Sequence, residues 1–175
     1  MSSGVTLNSE KTAITRSKPS APAQWIHDHY LLPEKVINWG EGKAYHDSVL
    51  LNAEGYDPNS LFSDNQYRSD SWYDLGVCIY VLNTLLPDER AECLEEVMVC
   101  CDRALFAVRT DTKNLEGTKR ADGVITSWDT FQAQLSPQEW KRWIEDTLAW
   151  PGINFDVSVL HRGSGYAILE VAPHE

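Results

Sequence analysis

Residues 36–44, VINWGEGKA, taken with GYDP at 55–58, decide how the rest of the chain is read. A short apolar run enters a Gly-x-Gly turn from Gly40 to Gly42. An amphipathic stretch follows, and a second apolar segment ends on an acid, Asp57. The order is strand, glycine turn, helix, strand tip. Glycines at such a turn let the backbone come close to a ligand, and an acid at the tip of the next strand accepts hydrogen bonds from ribose hydroxyls. Asp57 lies 17 positions after Gly40 (57 − 40), near the spacing of nucleotide-binding βαβ units. Ala44 stands where a full dinucleotide fingerprint has its third glycine, so a plain strand-to-helix turn without a ligand is the alternative for Gly40 and Gly42. Asp57 before Pro58 can likewise serve only to start a turn.

Working outward toward the N-terminus, residues 1–19 read as an arm. The first ten are small and polar, and Lys11 to Pro22, KTAITRSKPSAP, carries two prolines and three positive charges, a composition for extended chain. Ser20 then caps a helix with Pro22 in its first turn, an apolar face of Trp25, Ile26, His29 and Tyr30, and Pro33 as its stop. The first strand is Lys35 to Trp39. The helix after the glycine turn is expected to reach about Asn52 with Val49 and Leu50 facing inward, and the second strand ends at Asp57.

Toward the C-terminus, Pro58 to Trp72 offers 15 residues before the next strong strand, Asp74 to Val81. One crossover alone takes about a dozen residues, so a helix, a third strand and a further helix do not fit there. A stretch of that length still reaches on the order of 50 Å, enough to cross two strand spacings. Pro87 starts a helix to about Cys101 with Ala91, Leu94, Val97 and Met98 at helical spacing, and Ala104 to Arg109 is a strand. Thr110 to Gly123 reads as a polar loop holding Lys113, Lys119 and Arg120, solvated or serving as a substrate lid. Ser136, Pro137 and Glu139 spell a capping box for a helix to about Leu148. Phe155 to His161 and Tyr166 to Val171 flank the turn Arg162 to Gly165 as a hairpin. The sum is an α/β fold, residues 20–175 forming one domain: a Rossmann-like sheet with helices on both faces, shortened in the middle, closed by a C-terminal antiparallel hairpin.

Composition narrows the function. With 175 residues, 42% of them hydrophobic and seven Trp, the chain has enough apolar material for one real core. A net charge of −11 opposes non-specific attachment to nucleic acid or to anionic membrane, both of which need a positive field. Cys78, Cys93, Cys100 and Cys101 fall in apolar segments without metal-ligand spacing, which predicts reduced structural thiols and no metal. No run approaches a membrane span and the N-terminus lacks the apolar core of a signal peptide, so the expected location is the cytoplasm.

In order and spacing, the glycine turn, the acid after it and the terminal hairpin resemble the class I methyltransferases that use S-adenosylmethionine. More narrowly, KTAITR, VINWGEGKA, GYDP, YDLGVCIYVLNTLLPDERA and DTFQ resemble a compact bacterial and phage branch that includes methyltransferases associated with DNA phosphorothioation systems. The resemblance implies a crevice at the carboxyl ends of the strands with the cofactor across Gly40 to Gly42. It implies that Asp57 binds both ribose hydroxyls, that Tyr56 and Pro58 flank the adenine, and that Tyr80 to Asn83 face the sulfonium and the substrate. Arg16 would meet the cofactor's carboxylate if the arm folds over the crevice. Trp128, Asp129 and Gln132, before the last helix, would contact substrate, although an aromatic under a loop such as Trp128 is more often core. Members of the family usually carry an acid where this chain has Asn38 and often Cys where it has Glu41. Asn38 can hydrogen-bond the loop but brings no charge, whereas Glu41 can attract the cofactor's amino group or repel its carboxylate.

The implied function is methyl transfer to an oxygen, nitrogen or sulfur acceptor on a small molecule, a nucleotide or a nucleic acid under modification. Tyr80, His46 and Asp129 are the candidate bases, with Asn83 beside Tyr80; a surface or packing role is the alternative for His46. The DPPY or NPPY tetrapeptide of exocyclic amine methylases is absent, its place reading IYVLN, and no Pro-Cys nucleophile occurs. Two other functions fit the same residues. One is a non-catalytic cofactor-binding or partner-binding protein, and the other is an enzyme that cleaves S-adenosylmethionine or transfers its aminocarboxypropyl group. Oligomeric state is not legible.

Overall fold

A computed structural model describes residues 9–12, 14–43, 45–58 and 71–174. Ala44, most of the stretch between Pro58 and Trp72, and the first eight residues, expected to be loose, lie outside the described residues. Six strands form the main sheet: β1 (Val36–Trp39), β2 (Glu54–Tyr56), β3 (Tyr73–Ile79), β4 (Cys101–Arg109), β8 (Phe155–Gly163) and β9 (Tyr166–Pro173). Their order is β2-β1-β3-β4-β9-β8. The first four are parallel, β9 runs antiparallel to β4, and β8 pairs antiparallel with β9. Among the described residues β2 is the sheet's edge, and the expected shortening of the middle falls in a stretch outside the described residues.

Helices cover both faces. On one face, Ala23 and Ile26 of α1 (Ala21–His29) pack with Leu51 against Val36, Leu75, Val77 and Leu105. On the other, Leu94 and Val97 of α3 (Pro87–Met98) and Trp140 and Ile144 of α4 (Pro137–Thr147) pack against Ile37, Cys78 and Phe106. The predicted caps form. Ser20 Oγ accepts from the Ala23 N–H at 3.3 Å, and Ser136 and Glu139 exchange side-chain bonds with each other's backbone N–H at 3.3 and 2.8 Å. All four cysteines are buried and free. Among the described residues no helix is long and apolar enough to cross a membrane.

Three expectations are corrected. The helix after the glycine turn, α2 (His46–Leu50), stops before Asn52, whose φ of +49 is left-handed; Leu50 packs partly buried against the core as expected, but Val49 is 70% exposed. Its buried residues are instead Asp47 and Ser48, because each has a polar partner: Asp47 accepts from the Ser20 N–H and Oγ at 2.6 and 2.8 Å, and Ser48 Oγ accepts from Asn38 Nδ2 at 2.9 Å. Helix α3 ends at Met98, so Cys101 already belongs to β4. The polar stretch Thr110 to Gly123 is no simple loop, since β5 (Thr118–Arg120), β6 (Gly123–Ile125) and β7 (Phe131–Ala133) build a second, antiparallel sheet.

Arg90 holds that small sheet to α3. Its buried guanidinium forks onto the Asp122 carboxylate at 2.6 and 3.0 Å and donates to the Leu82 and Leu85 carbonyls at 3.1 and 3.0 Å. Arg90 Cζ lies over the rings of Trp140 and Trp143 of α4, 4.9 and 5.0 Å from their centres. A buried charge is tolerated when it is paired and hydrogen-bonded, and Arg90 has a carboxylate partner and places four of its five N–H donors.

Candidate functional site

The carboxyl ends of β1, β2 and β3 open onto one cleft of about 930 Å³, within the size range of small-molecule sites. Strand β1 delivers Asn38 and Trp39 to its floor, and the chain then turns through Gly40 and Gly42 with φ of +79 and +61. A Cβ at Gly40 would stand 2.3 Å from Val81 Cγ2, so the turn sits hard against the residues that follow β3. The Gly40 and Glu41 N–H groups both donate to the Tyr56 carbonyl, at 2.8 and 3.1 Å, and the Gly42 N–H donates to Asp57 Oδ2 at 2.8 Å. The turn and the tip of β2 are thus one hydrogen-bonded unit. Glu41 lies back over β2: a Cβ at Gly55 would be 2.3 Å from both Glu41 carboxylate oxygens, and glycine there makes room for them.

Opposite the turn, the arm forms a wall. Ser9–Thr12 is a short 3-10 turn where extended chain was expected, and Lys11, Thr12, Ile14 and Arg16 line the cleft. Arg16 Cζ lies 5.6 Å from the centre of the Tyr80 ring, within cation–π range. Tyr80, the residue just after β3, has φ of +62, a left-handed position that is uncommon for an aromatic residue. Burial pushes its phenol up to about 12, with the Arg16 and Arg109 charges pulling the other way. At neutral pH Tyr80 is therefore a hydrogen-bond donor and not a base.

The floor beyond Tyr80 is polar and buried. Asn83, 1% exposed, sits in a 3-10 turn (Leu82–Thr84) and donates through Nδ2 to Gln132 Oε1 at 3.2 Å. Gln132 and Thr130 reach the cleft from β7 and the loop before it, with Thr130 Oγ1 held to Thr126 Oγ1 at 2.8 Å. Trp128 lines the rim and is 76% exposed, so it is not a core aromatic. The third wall is α3, which brings Glu89, Glu92, Cys93 and Glu96 to the cleft; burial and the neighbouring Glu92 raise the Glu96 carboxyl.

Of the residues singled out in the sequence, the structure gathers Arg16, Asn38, Gly40, Gly42, Asp57, Pro58, Tyr80, Asn83, Trp128 and Gln132 around this cleft. Three others stand outside its lining. Tyr56 packs on Trp39 with ring centres 4.4 Å apart, His46 stacks on Tyr45 at 4.5 Å, and exposed Asp129 takes a left-handed turn position with its N–H on the Thr126 carbonyl. Sequence reading missed the acidic wall of α3, although Glu89, Glu92, Cys93 and Glu96 carry the i, i+3, i+4 spacing of one helix face.

No protein-family description and no curated protein matches this sequence. Solved structures do. The chain is similar to a complex of DhpI with SAH, at 17% identity and a TM-score of 0.56 over 87% of this chain and 83% of that one. It is similar to the mitomycin 7-O-methyltransferase MmcR, at 14% identity and a TM-score of 0.56 over 87% and 53%. It is also similar to a Rhodobacter sphaeroides protein assigned by name to the Zn-dependent alcohol dehydrogenases, at 10% identity and a TM-score of 0.64 over 96% and 99%. Among the described residues no group of His, Cys, Asp or Glu side chains is arranged to hold a metal. At these identities the likeness shows the fold alone: a mixed α/β sheet with flanking helices and a C-terminal antiparallel hairpin, like that of these solved structures.

Proposed function

We propose that this chain is a methyltransferase that takes its methyl group from S-adenosylmethionine and passes it to an oxygen, nitrogen or sulfur acceptor on a small molecule or nucleotide. The observation that carries this reading is the unit made by the Gly40–Gly42 turn and Asp57, closed by the Gly42 N–H bond to the carboxylate at the open end of the cleft. The donor set suits the cofactor. Left-handed glycines bring backbone close to a ligand, Asp57 offers an acid to ribose hydroxyls, and Arg16 offers a guanidinium to a carboxylate. Asn38 is bonded to Ser48 and serves to steady the tip of β1.

When bound, the cofactor supplies an electrophilic methyl group on a sulfonium. The chain's part is then alignment: Tyr80 and Asn83 border the reacting space, and the arm from Lys11 to Arg16 shields it from water. A net charge of −11 and the α3 carboxylates favour small acceptors over a nucleic-acid backbone, and the free buried cysteines suit a reducing compartment such as the cytoplasm. A non-catalytic binding subunit is the second reading, favoured by an uncharged Asn38 whose amide is already engaged.

Isothermal titration with S-adenosylmethionine and S-adenosylhomocysteine tests the proposal. Both should bind the wild type, and Asp57→Ala should weaken them at least tenfold, about 1.4 kcal/mol. Heat with neither ligand would refute the cofactor assignment. Binding without methylated product in an acceptor screen would select the second reading, and product analysis separates methyl transfer from cleavage or aminocarboxypropyl transfer.

A further inference from the structure

The buried pair Asn83 and Gln132 has a direction that can be read from the backbone. The Arg109 N–H is a fixed donor and points at Asn83 Oδ1, 3.4 Å away. Asn83 must therefore turn its Nδ2 the other way, and that group donates to Gln132 Oε1 at 3.2 Å. An amide presents oxygen at one end and NH₂ at the other, so fixing Gln132 Oε1 fixes where its two N–H donors go. Gln132 is 8% exposed and lines the cleft. No described group accepts from its Nε2, and Nε2 is not among the fully enclosed polar atoms that lack a partner, so its remaining open side is the cleft.

We infer that Gln132 is a specificity-determining donor for the methyl acceptor, and that the acceptor substrate presents to it a neutral hydrogen-bond-accepting atom such as a carbonyl oxygen or an unprotonated ring nitrogen. This rests on the cofactor reading above and goes beyond it by naming substrate chemistry. An unmet donor in a buried site discriminates strongly, because a ligand that lacks the matching acceptor leaves it unsatisfied. A phosphate would also accept, but seven carboxylates line the cleft against four cations, Lys11, Arg16, Lys43 and Arg109, a balance that disfavours a dianion. Asn83 acts through Gln132 as a positioning residue: it sets which end of the amide faces the ligand.

The test uses the full chain saturated with S-adenosylhomocysteine. Ligand-observed NMR screens a fragment library containing aryl ketones and pyridines, their hydrocarbon analogues, N–H donors without an acceptor such as pyrroles and indoles of matched shape, and aryl phosphates. Ketones and pyridines should dominate the hits, shift the Gln132 side-chain NH₂ resonances, and bind three- to tenfold more weakly to Gln132→Leu. Asn83→Asp keeps size but can no longer donate to Gln132; the amide then flips, and the preference should move from acceptors to donors. Circular dichroism confirms that each variant is folded. Equal binding of ketones to wild type and Gln132→Leu, unmoved Gln132 resonances, an unchanged preference in Asn83→Asp, or no hits in the loaded protein would each overturn the inference. Failure of S-adenosylhomocysteine itself to bind would instead overturn the cofactor reading.

Discussion

Gly40→Ala tests whether the turn is built for backbone approach or is only a bend. Gly40 has φ of +79, where an L side chain costs about 1–2 kcal/mol. The added methyl would meet Val81 Cγ2 at 2.3 Å, more than 1 Å inside ordinary contact of 3.4 Å. Driving Val81 off its rotamer adds about 0.5–1.5 kcal/mol, so the expected loss is roughly 2–3 kcal/mol. For a chain of this length that is a fall of roughly 4–12 °C in Tm. Urea unfolding followed by tryptophan fluorescence measures it, with titration of S-adenosylhomocysteine alongside. Combining Gly40→Ala with Val81→Ala removes the clash and leaves only the backbone cost. The double variant should therefore be more stable than the sum of the singles predicts, by about 1 kcal/mol in a double-mutant cycle. Additive losses, or a Gly40→Ala protein as stable and as tightly binding as wild type, would refute the close packing of turn against Val81.

Asp122→Ala strips the carboxylate from a guanidinium with no exposure of its own, and should cost about 3 kcal/mol in urea unfolding, with Asp122→Asn recovering part of it. Tyr80 gives a pH signature: its folded phenol is held near 12 against an ordinary value near 10, so its stabilising share is intact below pH 10 and is lost as pH rises toward 12. A titration of phenolate absorbance should lose a late-ionising group in Tyr80→Phe, whose stability should fall less across that window. Arg16→Ala should leave thermal stability nearly unchanged while weakening S-adenosylhomocysteine about tenfold or more, the effect of one charged hydrogen bond.

The elements that could be read from the sequence are those whose causes are local. SPQE carries its own helix start, the turn RGSG separates two apolar runs, and the glycines of GEG permit the left-handed bend found there. The second sheet was hidden because strands of three residues, TKR and GVI among them, are too short for alternation to register. What fixes them is the Arg90 to Asp122 pair across 32 positions. Helix α2 misled for a related reason: the face it buries is polar, and Asp47 belongs inside only because Ser20, 27 residues earlier, supplies two donors.

The site divides along the same line. Gly40, Gly42 and Asp57 lie within one βαβ unit, so their spacing already implied their meeting. Asn83 and Gln132 are 49 positions apart, and no spacing rule joins them. Their pairing depends on β7 lying beside the turn after β3, and that depends in turn on Arg90 anchoring the small sheet. A consequence is that the Asn83 and Gln132 side of the cleft should be sensitive to substitutions at Asp122, which does not line it, while the Gly40 to Asp57 side should not be.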